Sequence, residues 1–160
     1  MMTEKEIQMK AEAYCSACER CRSEVAAKIA AYSAKCPEDE LDSDATERII
    51  THLEREGYLN EERYAQAFVH DKLRFCKWGR LKIKAVLRQK GVAPDAVRQA
   101  LDAIDPDEYA CVLRDVIASR KRDIKGASDY ERSMRLLRFL SQRGFEPSIA
   151  SEFINLTEED

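Results

Sequence analysis

The hydrophobic positions of this chain recur at helical spacing. Tyr109, Val112, Leu113, Val116 and Ile117 fall at i, i+3, i+4, i+7 and i+8, one continuous apolar stripe. Asp105 stands ahead of the stripe as an N-cap, Pro106 takes the first helical position, and Glu108 is placed to close a capping box. Tyr64, Ala65, Phe68 and Phe75 form a second stripe, and Ile83, Val86 and Leu87 a third. No segment alternates strictly enough to predict a strand, so the expected fold class is all-α.

An internal repeat organises these helices. The segment from Leu87 to Leu101 aligns without gaps on the segment from Leu140 to Ile154, and Leu87, Gln89, Gly91 and Pro94 recur as Leu140, Gln142, Gly144 and Pro147. The shared pattern has a physical meaning. A helix ends, glycine takes the left-handed position after it, a hydrophobic residue (Val92 or Phe145) follows, and proline opens the next helix. Each copy is preceded by a further helix, which makes the unit three helices long. A weaker copy lies at the N-terminus, with Val25 and Ile29 in the places of Ile83 and Leu87, and with Ile49, Ile50 and Leu53 on its last helix. Its acidic connection, CPEDELDSD, lacks the Gly-x-x-Pro turn. Each unit buries too little apolar surface to be secure alone, so the units are expected to pack side by side.

Composition refines this picture. Charged residues make up 36% of the 160 positions, with only five Gly and four Pro, in keeping with long helices and short connections. The formal net charge is −3, so attraction to phosphates requires a local basic surface. The start of the chain is polar and no apolar run is long enough to span a bilayer, which leads to the expectation of a cytoplasmic protein without a membrane partner. In that compartment its six cysteines stay reduced.

Cys15, Cys18, Cys21 and Cys36 are spaced like ligands of an iron–sulfur or zinc site. The residues around the first three include no Gly or Pro to free the backbone, and on one helix they would step by about 60° each rather than converge. The reading adopted is packing, with no metal and no cofactor, and Cys76 and Cys111 are read as packing too. His52 and His70 are single. The five glycines are scattered, and no nucleophile motif is present. Glu54, Glu56, Glu61 and Glu62 lie beside Arg55 and Arg63 and read as solvated helix faces. The chain is not expected to be an enzyme.

One charge pattern stands apart. Between Asp71 and Asp95 there is no acid, but there are eight bases: Lys72, Arg74, Lys77, Arg80, Lys82, Lys84, Arg88 and Lys90. Arg80, Lys84 and Arg88 form a stripe beside the apolar face of Ile83, Val86 and Leu87, and Trp78 stands at its start. A run this one-sided points to an acidic partner, either nucleic acid or an acidic protein surface near it.

The segment from Gly57 to Val92 resembles the signature of the RecX regulatory proteins. Gly57-Tyr58-Leu59-Asn60, Tyr64-Ala65, Phe68-Val69, Gly79-Arg80, and Leu87 with Lys90-Gly91 carry the likeness. The stretch RLLRFLSQRGFEP is similar to the family's C-terminal repeat, and AYCSACERCRSEVAAKI to its first helices. Asn60 stands where an Asp is common and still caps a helix.

The resemblance implies three tandem three-helix repeats in an elongated, curved array: residues 4–57, 58–104 and 105–156, with an acidic tail at 157–160. It implies a monomeric regulator that binds the RecA–single-stranded DNA filament. Such a regulator inhibits the ATPase, recombinase and coprotease activities of RecA, and so acts in recombination, repair and the SOS response. Lys72, Arg74, Lys77, Trp78, Arg80, Lys82, Lys84, Arg88 and Lys90 are then the expected contacts with RecA and single-stranded DNA. The competing reading is an autonomous helical DNA-binding protein that uses the helix beginning at Gly79 as its recognition element.

Overall fold

A computed structural model describes residues 2–35 and 42–158. The described residues form nine helices and no strand: α1 (Glu4–Ala17), α2 (Arg22–Ala34), α3 (Ala45–Arg55), α4 (Glu61–Arg74), α5 (Arg80–Gln89), α6 (Pro94–Asp102), α7 (Pro106–Lys121), α8 (Asp129–Gln142) and α9 (Pro147–Glu158). None is long and apolar enough to cross a membrane. The all-α, three-helix-repeat reading therefore stands. The chain separates into two compact units, Met1–Ala67 with Arg88–Val97, and Phe68–Leu87 with Arg98–Asp160.

In the first unit, α1, α2 and α3 close on a core of Ile7, Ala11, Val25, Ile29, Ile49, Ile50, Leu53 and Leu59. Thr3 and Glu6 close a reciprocal capping box at the start of α1. The break between α1 and α2 falls inside the cysteine run, although no Gly or Pro is there. The Cys21 backbone N–H donates to Glu24 Oε1 at 3.2 Å, and the thiol donates to the same oxygen at 3.2 Å, which fixes the new helix start. Cys15 is buried on α1, Cys18 is exposed at its end, and Cys21 is buried at the head of α2. Among the described residues no three His, Cys, Asp or Glu side chains group as metal ligands, and Cys36 lies outside those residues.

The second unit contains α7, α8 and α9, with Leu113, Ile117, Leu140 and Phe145 fully buried. The α8–α9 corner has the geometry its sequence predicts. Gly144 is left-handed at φ 95°, Phe145 N–H reaches back to the Leu140 carbonyl at 3.0 Å, and the Phe145 ring is buried. The α5–α6 corner repeats the pattern with Gly91 at φ 77° and a buried Val92.

Four expectations are corrected. Phe75 is not in the core: α4 ends at Arg74, so Phe75 turns outward and is 77% exposed, while Val69 and Leu73 continue the buried stripe. Cys111 is exposed, because it lies about 200° around α7 from the buried Tyr109. Cys76 is half-buried but sits in the connector after α4 rather than on a helix. Glu108 pairs with Arg74 instead of closing a capping box, and Asp105 alone caps α7 by accepting from Asp107 N–H at 2.9 Å.

Candidate partner-binding surface

The basic run spans the end of α4, the connector 75–79 and α5. The connector is held tightly. Arg143, at the end of α8, donates from Nε to the Lys77 carbonyl at 3.2 Å and from Nη2 to the Cys76 carbonyl. Lys77 itself is left-handed at φ 56°, a conformation that costs a non-glycine residue about 1–2 kcal/mol. The two Arg143 bonds fix its peptide plane and offset that cost.

The start of α5 docks backbone-first on the α8–α9 corner. Gly79 N–H donates to the Arg143 carbonyl at 2.8 Å, and Leu81 N–H donates to the Gly144 carbonyl at 2.9 Å. The intervening Arg80 N–H donates to the Tyr109 hydroxyl at 3.2 Å. Three of the four donors a helix normally leaves open at its start are thus taken up by the protein. Those three backbone donors are therefore not available to a phosphate.

Arg80 is turned inward rather than towards a partner. Its guanidinium lies 3.8 Å from the Tyr109 ring centroid, and Nη1 pairs with Glu146 Oε2 at 2.9 Å. The Tyr109 hydroxyl donates to the other Glu146 oxygen. Burial, reinforced by that bond, pushes the Tyr109 phenol well above its ordinary range.

The remaining cations differ in what they have left to offer. Arg74 is paired with Glu108, and its guanidinium holds the Glu108 carboxyl below the usual carboxylate range. Lys72 and Lys82 both place their ammonium groups over the Trp78 indole, at 4.8 and 4.4 Å from its centroid. Phe68 meets the same indole edge-on at 6.4 Å. Neither lysine forms an ion pair among the described residues, so the indole supports two uncompensated charges. Lys84 is exposed on α5 and forms no ion pair among the described residues. Arg88 and Lys90 belong to the first unit: Arg88 is exposed, and Lys90 is half-buried with its carbonyl accepting from Ser23 Oγ at 2.6 Å.

Sequence reading missed Phe75 as a surface group, since its spacing fits the α4 stripe and only the helix end expels it. It also missed Arg143, Tyr109 and Glu146 as the clamp beneath the surface. The signal for the clamp was present in Gly79, an unexplained glycine directly before a helix.

Comparison with known proteins bears on this surface. The family model for the second three-helix domain of RecX matches residues 60–101, and that for the third three-helix domain matches 107–154. A regulatory protein RecX from Herminiimonas arsenicoxydans is 30% identical over 90% of this chain and 89% of its own. The chain belongs to the RecX family.

Other RecX relatives extend the likeness. One from Clostridium perfringens strain 13 is 34% identical over 70% of this chain, and the match spans 53% of that relative, about half its length. The crystal structure of RecX from Lactobacillus salivarius superposes with a TM-score of 0.79 over 98% of this chain and 97% of that one, at 21% identity, a likeness of fold. The basic run of this RecX-family chain, from Lys72 to Lys90, lies wholly within the part matched by the second-domain model.

Proposed function

We propose that this chain regulates the RecA recombinase by binding the RecA–single-stranded DNA filament and suppressing its ATPase, recombinase and coprotease activities. The observation that carries the reading is membership of a family whose relatives are named regulatory proteins, supported across nearly the full length of one of them. The acid-free run from Lys72 to Lys90 supports it independently, since a long polyanionic target rewards a local excess of positive charge on an otherwise acidic chain.

Within that run the contacts fall to groups whose charge is not consumed internally. Lys84 and Arg88 lie one turn apart on α5 and carry no ion pair among the described residues. Lys72 and Lys82 offer paired ammonium groups over Trp78. Phe75, exposed on a clamped connector, adds an apolar anchor. Arg80 acts from behind, holding the start of α5 in place, and Arg74 spends its charge on Glu108. Adding the chain to RecA during single-stranded DNA-dependent ATP hydrolysis is expected to slow turnover at or below stoichiometric amounts. Unchanged hydrolysis under conditions where RecA is active would remove the proposal.

A further inference from the structure

Among the described residues, four of the five exposed large hydrophobics lie in the second unit: Phe75, Leu81, Tyr130 and Met134. Two of them, Tyr130 and Met134, are one turn apart on α8 and are 76% and 42% exposed. Arg138 continues the same row a turn further on, exposed and without an ion pair among the described residues. Tyr, Met and Arg thus form one ridge on a regular helix, at i, i+4 and i+8. Its flank is basic as well. The end of α7 contributes Lys121, and the connection to α8 contributes Arg122 and Lys125 around one exposed acid, Asp123, while the neighbouring acids Asp129 and Glu131 are taken up by Arg132 and Arg135.

The repeat gives this ridge a counterpart. The register that aligns Leu87 with Leu140 and Gly91 with Gly144 also aligns Leu81 with Met134. Leu81 is 49% exposed on α5, beside Lys84. The middle helices of two successive repeats therefore carry an exposed apolar residue at the same place, each next to uncompensated positive charge. A helix surface gains nothing in solution from an exposed Met or Leu, and two at equivalent positions mark a docking feature rather than scattered surface residues.

We propose that the α8 ridge of Tyr130, Met134 and Arg138 is a second docking surface, and that it takes an acidic protein face containing an apolar pocket. Charge complementarity sets the sign of the partner. The residue types set its class. Tyr, Met and Arg are enriched at the centres of protein interfaces, whereas a track for a nucleic-acid backbone rewards several lysines or arginines in line and has no use for a Met between them. The partner is a subunit of the filament itself, so the inference rests on the function proposed above.

The test compares the full chain with Y130A/M134A and with R138E. Binding is measured to RecA filaments assembled on single-stranded DNA with a slowly hydrolysed ATP analogue, and in parallel to the same DNA alone. All three side chains are exposed, and circular dichroism checks that each variant keeps its helices. Loss of two anchors is expected to weaken filament binding by about ten-fold or more while binding to bare DNA is unchanged. R138E is expected to slow association and to reduce its dependence on salt. Filament affinity of Y130A/M134A within about two-fold of the parent overturns the docking surface and leaves the proposed function standing. An equal loss on bare DNA overturns it too, by making the ridge a nucleic-acid contact. If the parent chain does not bind filaments at all, the functional reading fails and this surface falls with it.

Discussion

Gly79 and Gly144 meet backbone to backbone. A Cβ on Gly79 would come within 2.4 Å of the Gly144 carbonyl carbon and oxygen, and a Cβ on Gly144 would come within 2.4 Å of Lys82 Cβ. The contact presses the start of α5 onto the α8–α9 corner. Gly79→Ala is therefore expected to destabilise the protein by about 1–3 kcal/mol, the usual range for forcing extra volume into a packed site. Gly91→Ala meets no atom within 4 Å and carries only the left-handed backbone cost, about 1–2 kcal/mol. Urea midpoints measure both. Fluorescence of Trp78, the single tryptophan, separates them: Gly79→Ala alters the native spectrum, and Gly91→Ala leaves it unchanged.

Stability is expected to fall in alkali. Burial first, then hydrogen bonding to Glu146, raises the Tyr109 phenol in the folded state above its ordinary value of 10.0. Tyr64 is raised likewise, chiefly by burial and further by Cys21 and Glu24. The folded state thus holds these protons longer than the unfolded chain does. The stabilisation is complete below pH 10.0 and is lost as pH rises towards the folded-state values. Tyr109→Phe removes the slope that Tyr109 contributes. It also costs about 1–2 kcal/mol at neutral pH, because the Arg80 N–H and Glu146 lose a partner. Thermal melts between neutral pH and strong alkali check the slope, and a parent curve as flat as the variant's contradicts it.

Arg80 and Lys84, four residues apart on one helix, are expected to behave oppositely when reversed. Arg80→Glu sets a carboxylate beside Glu146 and removes the cation stacked on Tyr109, so its principal effect is on folding. Lys84→Glu with Arg88→Glu breaks no ion pair among the described residues and should leave the urea midpoint within about 0.5 kcal/mol of the parent. That double reversal should nonetheless abolish inhibition of RecA ATPase. Retained inhibition in a folded K84E/R88E chain would remove these two contacts.

Phe75→Ala isolates the apolar anchor. A side chain 77% exposed contributes little to folding, so the midpoint should hold. Inhibition should weaken by about five-fold or more if Phe75 enters a pocket on the filament. An unchanged inhibition curve assigns Phe75 to solvent.

These predictions draw on features that were unequally legible in the sequence. The helices, the buried stripe of α7 and the Gly91 and Gly144 corners were readable, because each is written in local spacing and in residues with few conformational options. The fate of the cations was not. Whether Arg80 faces a partner or pairs with Glu146 depends on a residue far along the chain, and no periodicity in the run reveals it. Phe75 shows the same limit from the other side. Its spacing places it on the α4 stripe, but the helix ends one residue earlier and the ring turns into solvent. The break in the cysteine run was hidden for a different reason: Cys21 and Glu24 start α2 through side-chain chemistry where no Gly or Pro announces it.

The chain is proposed to recognise the RecA filament rather than DNA by itself, and sedimentation separates the two. RecA assembled on single-stranded DNA, the same DNA without RecA, and RecA without DNA are each spun with the chain. The chain is expected to pellet with the RecA–DNA filament and to stay in the supernatant of the DNA-only sample. A chain left in solution beside intact filaments, or one that pellets equally well with DNA alone, would contradict it.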